Sequence, residues 1–563
     1  MRSALVVSVL LGAAAPALGA EIPFTKDDVA VERIALHGPF QLPTSPGKNE
    51  VKVGSSALPV PPGSHDGDDS AGAAAPSILK KGNPQGSTNE VGEENAPAGP
   101  YQAQPPSWTV DPASGIQALD MQIAASHSRL LLSSVHNVAS FLKDGTLSAH
   151  WSTAGFFDLA LKDLNDKVLD PATGKKLAAP YLFNEVYDVR VVFDATRNRF
   201  WVAGLARNAE AKYGSEPDHT AHRVTRYIVA VSKTENPVDG FISYWWEPVR
   251  DYPFVGVSEK LFVVGLGGDA IVAMADDLAK GKATKPYHLT NFKDADGAVR
   301  ARGLCPALHH GTSSAHFILA TSGGDRLSIW AIDEKDPSKV RRASVPISAY
   351  QAPRLADQQP NKDIPHPHQI EDTNTGNYVM KAVYRDGKLY GVWHDAKQWA
   401  GASSPVTSLR LVRVDVSAFP DHVGTSGKID RTFGKRSAAD PAGAIYSYYW
   451  PSLDVNRDGT MLVNYSRSGP TIFPEIRYSV YRAKDSDIEA SKLLQAGECP
   501  LGGEDAKHAS RPDEDPVGRQ DFSGSAVDPE DDRAIWFIQP YAAKSSTASG
   551  AYKLKVGRVV IAK

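Results

Sequence analysis

Residues 384–395 read YRDGKLYGVWHD, and this stretch decides the fold class. Asp386-Gly387 accepts the positive φ that a two-residue hairpin turn requires, so it marks the turn of a hairpin. Side chains alternate along the residues that follow, with Leu389 and Trp393 on one face. The stretch therefore predicts two antiparallel strands joined by a tight turn.

The same theme of an apolar strand, an Asp-containing turn and a strand with an aromatic recurs along the chain. It is found in FLKDGTLSAHW (141–151), VVFDATRNRFWVAG (191–204), VYRDGKLYGVW (383–393), LDVNRDGTMLVNY (453–465) and AVDPEDDRAIWFI (526–538). Recurrence without a linker-like break predicts an all-β fold, a β-propeller of seven blades. Six blades or a pair of β-sandwiches are the alternatives. The turn aspartates are predicted to cap their own loops, and they are Asp144, Asp194, Asp386, Asp458 and Asp528.

Composition supports a globular β protein. The chain has 563 residues, of which 42% are hydrophobic and 22% charged, with 46 Gly and 40 Pro. This balance provides a core, and the many turn formers favour short strands over long helices. A net charge of −4 offers no basic field, so nucleic acid is not an expected partner.

The N-terminal part of the sequence differs from the rest. Residues 1–20, MRSALVVSVLLGAAAPALGA, have one Arg, a short apolar run and small residues, which is typical of a secretory signal. The run is too short to span a bilayer, and no later segment is predicted to be transmembrane. Residues 21–110 are rich in Pro, Gly, Ser and acids and are predicted to be a disordered linker or pro-segment. Residues 111–563 are assigned to the propeller. We expect a secreted protein, extracellular or, in a host with an outer membrane, periplasmic.

Five stretches of the chain resemble secreted, sialidase-like (BNR/Asp-box-type) β-propeller proteins, many without an assigned activity. They are VYDVRVVFDATRNRFWV (186–202), IVAVSKTENPVDGFISYWW (228–246), RDYPFVGVSEKLFVV (250–264), YYWPSLDVNRDGTMLVNYSRSGPTIFPEIRYSVYR (448–482) and GRQDFSGSAVDPEDDRAIWFIQPYA (518–542). The resemblance implies the propeller architecture. The Asp-boxes here are degenerate, and the resemblance does not imply sialidase activity.

Ligands of propellers bind at a mouth of the central channel, on loops and strand ends. Polar residues at the ends of likely inner strands are therefore candidates, each from a different blade. The binding candidates are His136, Asp188, Arg190, Tyr252 and Arg519, and the catalytic candidates are Asp251, His316, Asp521 and Arg190. Gathered at one mouth, they would bind an anionic sugar or a cation, or perform acid–base chemistry. The alternative is that such residues cap blades. His394 and Asp395 are interpreted as structural.

The sequence indicates metal binding and thiol chemistry less strongly than it indicates a site at the channel mouth. His366 and His368 flank a proline in an extended segment, which places both rings on one side and makes them the best metal candidates. A divalent cation is consistent with this pattern, and no organic cofactor is expected. Cys305 and Cys499 either form one disulfide or remain two buried thiols.

Two functional hypotheses of different class remain open. The first is a binding scaffold for a glycan or an extracellular protein. The second is a carbohydrate-active enzyme, a glycosidase or polysaccharide lyase, with its site at the mouth of the central channel. A glycosidase requires two carboxylates and a lyase requires His or Tyr beside Arg, whereas a binder requires an aromatic mouth.

Overall fold

The computed structural model describes most of the chain from residue 21 to residue 561. The described residues are 21–42, 90–99, 103–110, 116, 120–208, 219–247, 252–294, 296–300, 303–362, 364–365, 367, 369–370, 376–435, 443–484, 487–501, 520–544 and 551–561. The secretory signal predicted for residues 1–20 lies outside them and stays a prediction.

Six strands precede the first blade. They are β1 (Ile22–Pro23), β2 (Thr25–Lys26), β3 (Ala30–Arg33), β4 (Leu36–Gln41), β5 (Glu90–Gly92) and β6 (Ala103–Thr109). The next strands form blades 1 to 3. Blade 1 contains β7 (Gln122–Ala125), β8 (Arg129–Ser133), β9 (Asn137–Leu142) and β10 (Leu147–Ser152); blade 2 contains β11 (Glu185–Asp194), β12 (Arg199–Arg207), β13 (Thr225–Ser232) and β14 (Phe241–Trp246); blade 3 contains β15 (Pro253–Val257), β16 (Leu261–Leu266), β17 (Asp269–Met274) and β18 (Tyr287–Thr290).

Four more blades follow in chain order. Blade 4 contains β19 (Cys305–Pro306), β21 (Ala315–Ser322), β22 (Arg326–Asp333) and β23 (Val340–Pro346), while β20 (Leu308–His310) joins the inner edge of the next blade. Blade 5 contains β24 (Val379–Arg385), β25 (Lys388–Lys397), β26 (Val406–Asp415) and β27 (His422–Gly434); blade 6 contains β28 (Ser447–Val455), β29 (Met461–Gly469), β30 (Ile472–Tyr481) and β31 (Lys492–Gln495); blade 7 contains β32 (Gly524–Val527), β33 (Ala534–Ala543) and β34 (Ala551–Val560).

The seven sheets of the described residues are antiparallel except where β20 pairs with β24 and β5 with β27, and they close into a ring. The first strand of each blade contacts the first strand of the next, in the cyclic order β7, β11, β15, β19, β24, β28, β32 and back to β7. The first strands therefore surround a central channel, and the later strands of each blade lie progressively further out. This arrangement is a seven-bladed β-propeller, so the predicted fold class is confirmed.

The outer edges of the blades are completed by the N-terminal part of the chain. β6 pairs with β34 and supplies the fourth strand of blade 7. Residues 21–42, the N-terminal belt, pass around the outside in reverse blade order: β1 pairs with β27, β2 with β23, β3 with β18 and β4 with β14. The described part of the range 21–110 thus differs from the linker expected there. Edge strands need backbone partners more than apolar side chains, so composition did not reveal them.

The predicted Asp-Gly turns are confirmed. Asp386 and Gly387 both have positive φ, 49° and 76°, and they join β24 to β25. The Asp144 carboxylate accepts a hydrogen bond from the Thr146 N–H at 2.9 Å. The Asp194 carboxylate does the same for the Thr196 N–H at 3.0 Å. These aspartates cap their own turns.

Helices occupy only connections in the described residues. They are α1 (Thr153–Phe156), α2 (Asp158–Lys167) and α3 (Ala275–Ala279), with 3-10 turns at Glu93–Asn95, His219–His222 and Pro237–Asp239. The Ser152 hydroxyl caps α1 by accepting from the Gly155 N–H at 3.1 Å. Within the described part of the chain, none of these helices has the length and apolar character needed to cross a bilayer.

Both cysteines are free and buried. Cys305 begins the inner strand of blade 4, whereas Cys499 follows the outer strand of blade 6. The disulfide alternative is therefore wrong, because the two residues belong to different blades, and the buried-thiol alternative holds. Burial raises the pKa of the Cys305 thiol to about 12, so the thiol is unreactive at neutral pH.

Candidate functional site

All seven inner strands begin at one end of the channel, which we call the strand-start mouth. Their parallel alignment is visible between blades 6 and 7. The Ser523 hydroxyl donates to the Trp450 carbonyl at 2.7 Å, and the hydroxyls of Ser452 and Ser525 lie 2.8 Å apart. Residues that open the inner strands of different blades are consequently neighbours in space.

The backbone at the strand-start mouth is locally strained. Asp120, Asp188, Tyr252 and Trp450 are non-glycine residues with positive φ, between 50° and 68°. Asp120 and Tyr252 precede inner strands, and Asp188 and Trp450 are the fourth residues of β11 and β28. A β-bulge accompanies two of them, between Tyr187 and Arg190 and between Tyr449 and Ser452. Such conformations cost free energy and concentrate at functional sites, where they redirect side chains.

Tyr252 and Asp521 form the centre of the mouth. The Tyr252 hydroxyl donates to Asp521 Oδ1 at 3.0 Å, and the Asp521 N–H donates to Asp120 Oδ1 at 2.6 Å. The Tyr252 ring contacts the rings of Phe522 and Tyr378, with centroid separations of 5.1 and 5.7 Å. Side chains from the starts of blades 1, 3, 5 and 7 thus meet at one point.

Arg190 lies beneath this group and does not reach the mouth. Its guanidinium carbon is 3.1 Å from the centroid of the Phe522 ring, and its Nε donates to the Pro253 carbonyl at 2.8 Å. The side chain is only 5% exposed. Burial lowers the pKa of Arg190, and the nearby Asp188 carboxylate opposes this effect. Arg190 therefore positions the aromatic layer by a cation–π contact and cannot meet a ligand directly.

Asp188 and His136 also lie at the strand-start mouth. Asp188 is buried beside Arg190. His136 is partly exposed in the β8–β9 turn, and its Nδ1 is 4.0 Å from Glu185 Oε1. Glu185 is in turn held by Arg207, whose Nε is 2.6 Å from Glu185 Oε2. His136 is accessible to solvent, and Asp188 is not.

His316 is not at the mouth. It opens β21, the second strand of blade 4, and is fully buried. Its Nδ1 lies 3.0 Å from the Ser258 hydroxyl, and its ring stacks on His309 at 4.8 Å. Burial lowers the pKa of His316 to about 3, so the ring is neutral. The structure corrects the catalytic assignment of His316, because this side chain packs between blades 3 and 4.

Four further candidates lie outside the described residues. Asp251 and Arg519 are adjacent in sequence to described residues of the mouth, and their roles stay predictions. The metal candidates His366 and His368 likewise stay predictions. Among the residues that the structure does describe, no group of three or more His, Cys, Asp or Glu side chains could hold a metal ion.

His394 and Asp395, at the end of the opening stretch, are structural. His394 Nε2 accepts the Trp450 N–H at 2.8 Å, and burial lowers the pKa of His394 to about 3. Asp395 is buried and accepts from the Gln351 N–H at 2.8 Å. Its Oδ2 is 3.5 Å from Arg410 Nη1. His394 thus connects blade 5 to blade 6, and Asp395 connects blade 5 to the segment that precedes it.

The sequence did not reveal a second feature, a cavity of about 520 Å³ inside the channel. Its polar lining includes Lys381 and Arg385 of β24, His310 of β20, and Asp454 of β28. It extends to the loops where the inner strands end, which we call the strand-end mouth. A charged residue inside an otherwise apolar inner strand is the sequence signal that could have indicated this cavity. Lys381 in VMKAVYR is such a residue.

Comparisons with known proteins assign no family. No model of a known protein family matches the sequence, and no curated protein shows significant similarity to it. Among solved structures, Trypanosoma rangeli sialidase in complex with 2,3-difluorosialic acid is 8% identical, with a TM-score of 0.35, and covers 82% of this chain. The chain spans 59% of that sialidase's length.

Two other solved structures have similar scores. The α-L-arabinofuranosidase from Lactobacillus brevis is 9% identical, with a TM-score of 0.31, over 68% of this chain and 96% of its own. Kluyveromyces lactis Hsv2p is 8% identical, with a TM-score of 0.32, over 78% and 98%. The assignment to the seven-bladed propellers rests on the strand pairing described above.

Proposed function

We propose that this chain is a glycan-binding β-propeller whose site is the strand-start mouth. One observation carries the proposal: the partly exposed rings of Tyr252 and Tyr378 lie beside the carboxylates of Asp521 and Asp120, and Tyr252 is hydrogen-bonded to Asp521. An aromatic face provides a surface for the C–H side of a sugar ring, and a carboxylate accepts hydrogen bonds from its hydroxyls. Both elements are held by inner strands, so the site is preorganised.

The charge of the mouth indicates which glycans fit. Among its described residues, Asp120, Asp188 and Asp521 are acidic, and the one cation close to them, Arg190, is covered by Phe522. A sugar acid would be repelled by these carboxylates without gaining an arginine partner. We therefore expect neutral or amino sugars to bind, and uronates to be rejected.

Catalysis is the second candidate function. The Tyr252–Asp521 contact favours a catalytic role for these two residues over a purely structural one. A tyrosine hydroxyl with a carboxylate 3.0 Å away has the arrangement of a nucleophile and its base. A polysaccharide lyase additionally needs an arginine on the uronate carboxylate, and the covered Arg190 cannot supply it. Glycoside hydrolysis, with Asp521 and Asp120 as the two carboxylates, is the form of catalysis that the mouth accommodates.

Calorimetry with three ligand classes tests the proposal. A cello-oligosaccharide, a chitosan oligosaccharide and an oligogalacturonate are titrated into the wild type, into Asp521→Asn and into Tyr378→Ala. Loss of a charge-assisted hydrogen bond weakens affinity about tenfold or more. The control is Lys339→Ala, an exposed residue in the β22–β23 turn.

The expected result is binding of the neutral or amino sugar by the wild type and Lys339→Ala, and weaker binding by the two mouth variants. Reducing-end assays on the same samples separate binding from hydrolysis. Preference for oligogalacturonate, or equal affinity of Asp521→Asn and wild type, would refute the glycan site. Release of reducing sugar that Asp521→Asn abolishes would establish the enzyme instead.

We further propose that the protein is secreted with removal of its first residues. The signal-like composition of residues 1–20 and the position of the N-terminal belt directly after them support this proposal. N-terminal sequencing of the exported protein tests it. A mature protein that begins at or near Glu21 is expected, and a retained Met1 would contradict it.

A further inference from the structure

The central cavity is separate from the strand-start mouth. Its lining comes from the inner strands β7, β11, β24, β28 and β32 and from β20, and it reaches the turns at 195–198 and 529–532. Among the described residues, no member of the aromatic layer formed by Tyr252, Phe522 and Tyr378 lines it. A ligand would therefore enter from the strand-end mouth. A volume of about 520 Å³ is in the range of small-molecule sites.

Most charged side chains in the cavity wall already have partners. Arg385 binds both carboxylate oxygens of Asp532, and its Nη1 also donates to the Val455 carbonyl at 2.9 Å. His310 Nε2 lies 2.6 Å from Asp454 Oδ1. Arg385 and Asp532 thus neutralise each other, and His310 and Asp454 are each other's hydrogen-bond partner.

Two charged lining residues stand outside these pairs: Asp386, which is exposed to solvent in the β24–β25 turn, and Lys381. Among the described residues Lys381 forms no hydrogen bond or ion pair, although it projects from the inner strand β24 into the cavity wall. Burial lowers the pKa of Lys381, while Asp454 and Cys305 oppose this effect. Lys381 is half-buried, and a partly desolvated ammonium without a direct partner is unfavourable. A bound anion would remove this cost.

We propose that this cavity binds a small organic acid through one carboxylate, which pairs with the Lys381 ammonium. A single ammonium matches a single negative charge. A phosphate, which carries more charge and is recognised by several donors or a guanidinium fork, would find Arg385 already engaged by Asp532. The remaining hydroxyls of the ligand face the Ser525 side of the cavity. The site does not depend on the glycan site at the other mouth.

Two ligands that differ only in the acid group test the proposal. Gluconate and glucitol have the same carbon chain, and only gluconate has a carboxylate. Both are titrated into the intact protein, and inorganic phosphate is the third ligand. The variants are Lys381→Met, which keeps the length of the side chain, and the control Lys339→Met, which alters an exposed lysine in the β22–β23 turn.

We expect gluconate to bind the wild type and Lys339→Met at least about tenfold more tightly than glucitol or phosphate, and Lys381→Met to lose this preference. The second measurement is acetic anhydride labelling followed by mass spectrometry, which does not depend on the folding of a variant. Gluconate should protect Lys381 from acetylation, and glucitol should not.

Three results would overturn the proposal. They are equal binding of gluconate and glucitol, tightest binding of phosphate, and failure of gluconate to protect Lys381. Because the strand-start mouth is untouched by Lys381→Met, loss of oligosaccharide binding in that variant would point to global unfolding. The labelling of the wild type then decides the question.

Discussion

Asp454 connects the strands around the channel, and its replacement should destabilise the propeller strongly. This carboxylate is fully buried at the end of β28. Oδ1 accepts from His310 at 2.6 Å and from the Val455 N–H at 2.8 Å, and Oδ2 accepts from the Val527 N–H of blade 7 at 2.9 Å. Asp454→Ala removes all three hydrogen bonds at once.

The expected loss of stability follows from those three hydrogen bonds. Asp454→Ala leaves two buried N–H donors and the partly buried His310 without their acceptor, and we expect this to lower the free energy of unfolding by about 3–5 kcal/mol. Asp454→Asn keeps one oxygen acceptor and should lower the free energy of unfolding by about 1.5–3 kcal/mol. Glu530→Ala, which alters an exposed carboxylate, should change it by less than about 0.5 kcal/mol. Urea unfolding followed by tryptophan fluorescence measures all three.

The pH dependence of Asp454 provides a second readout. Burial alone would raise its pKa, but His310 and Lys381 outweigh burial, so the pKa lies below its usual value of 3.8. Its stabilisation is therefore present above about pH 4 and is lost as the pH falls further. The difference in the free energy of unfolding between the wild type and Asp454→Asn should become smaller below that pH. An Asp454→Ala variant within 1 kcal/mol of wild type at neutral pH would refute the reasoning.

Three further predictions concern buried groups. Cys305 and Cys499 should not react with Ellman's reagent in the native protein, and both should react after unfolding without reductant. Phe522→Ala should lower the free energy of unfolding by about 3–5 kcal/mol, because it opens a cavity and uncovers Arg190. Since His316 stays neutral in the folded state down to about pH 3, folding should weaken as the pH falls below about 6.5, and His316→Asn should reduce this slope by about one proton.

Each of these has a contradicting outcome. One mole of thiol or less per unfolded chain would indicate a disulfide or an oxidised cysteine. A Phe522→Ala variant as stable as wild type would mean that the aromatic layer does not support Arg190. An unchanged pH slope in His316→Asn would show that this histidine titrates in the folded state.

The architecture was predictable because its signals are local. Asp386 and Gly387 specify a hairpin wherever they occur, and repeated hairpins without a linker leave few alternatives to a closed ring. The N-terminal belt was not predictable in this way. Its strand β3 is exposed along its whole length, so its sequence has none of the alternation by which a half-buried strand is recognised.

The candidate site was predictable in position but not in exposure. Tyr252 and Asp521 precede inner strands, Arg190 follows the bulge near the start of β11, and strand starts share one mouth in a propeller. Which of them faces solvent depends on Phe522, whose ring covers Arg190 from another blade. His316 was misplaced because β20 intervenes between the first and second strands of blade 4. Pairing between blades is a tertiary property that local patterns do not encode.

The pairing of β6 with β34 has a consequence for the order of folding. The Lys555 side chain contacts Thr109 across 446 residues of sequence, so blade 7 cannot be completed until residues 551–560 have been synthesised. Contacts of such separation are slow to form, and the intermediate with an open blade exposes unpaired strand edges. A chain that ends before residue 551 would retain that intermediate permanently. Premature termination near the C-terminus should therefore yield aggregates rather than a six-bladed ring.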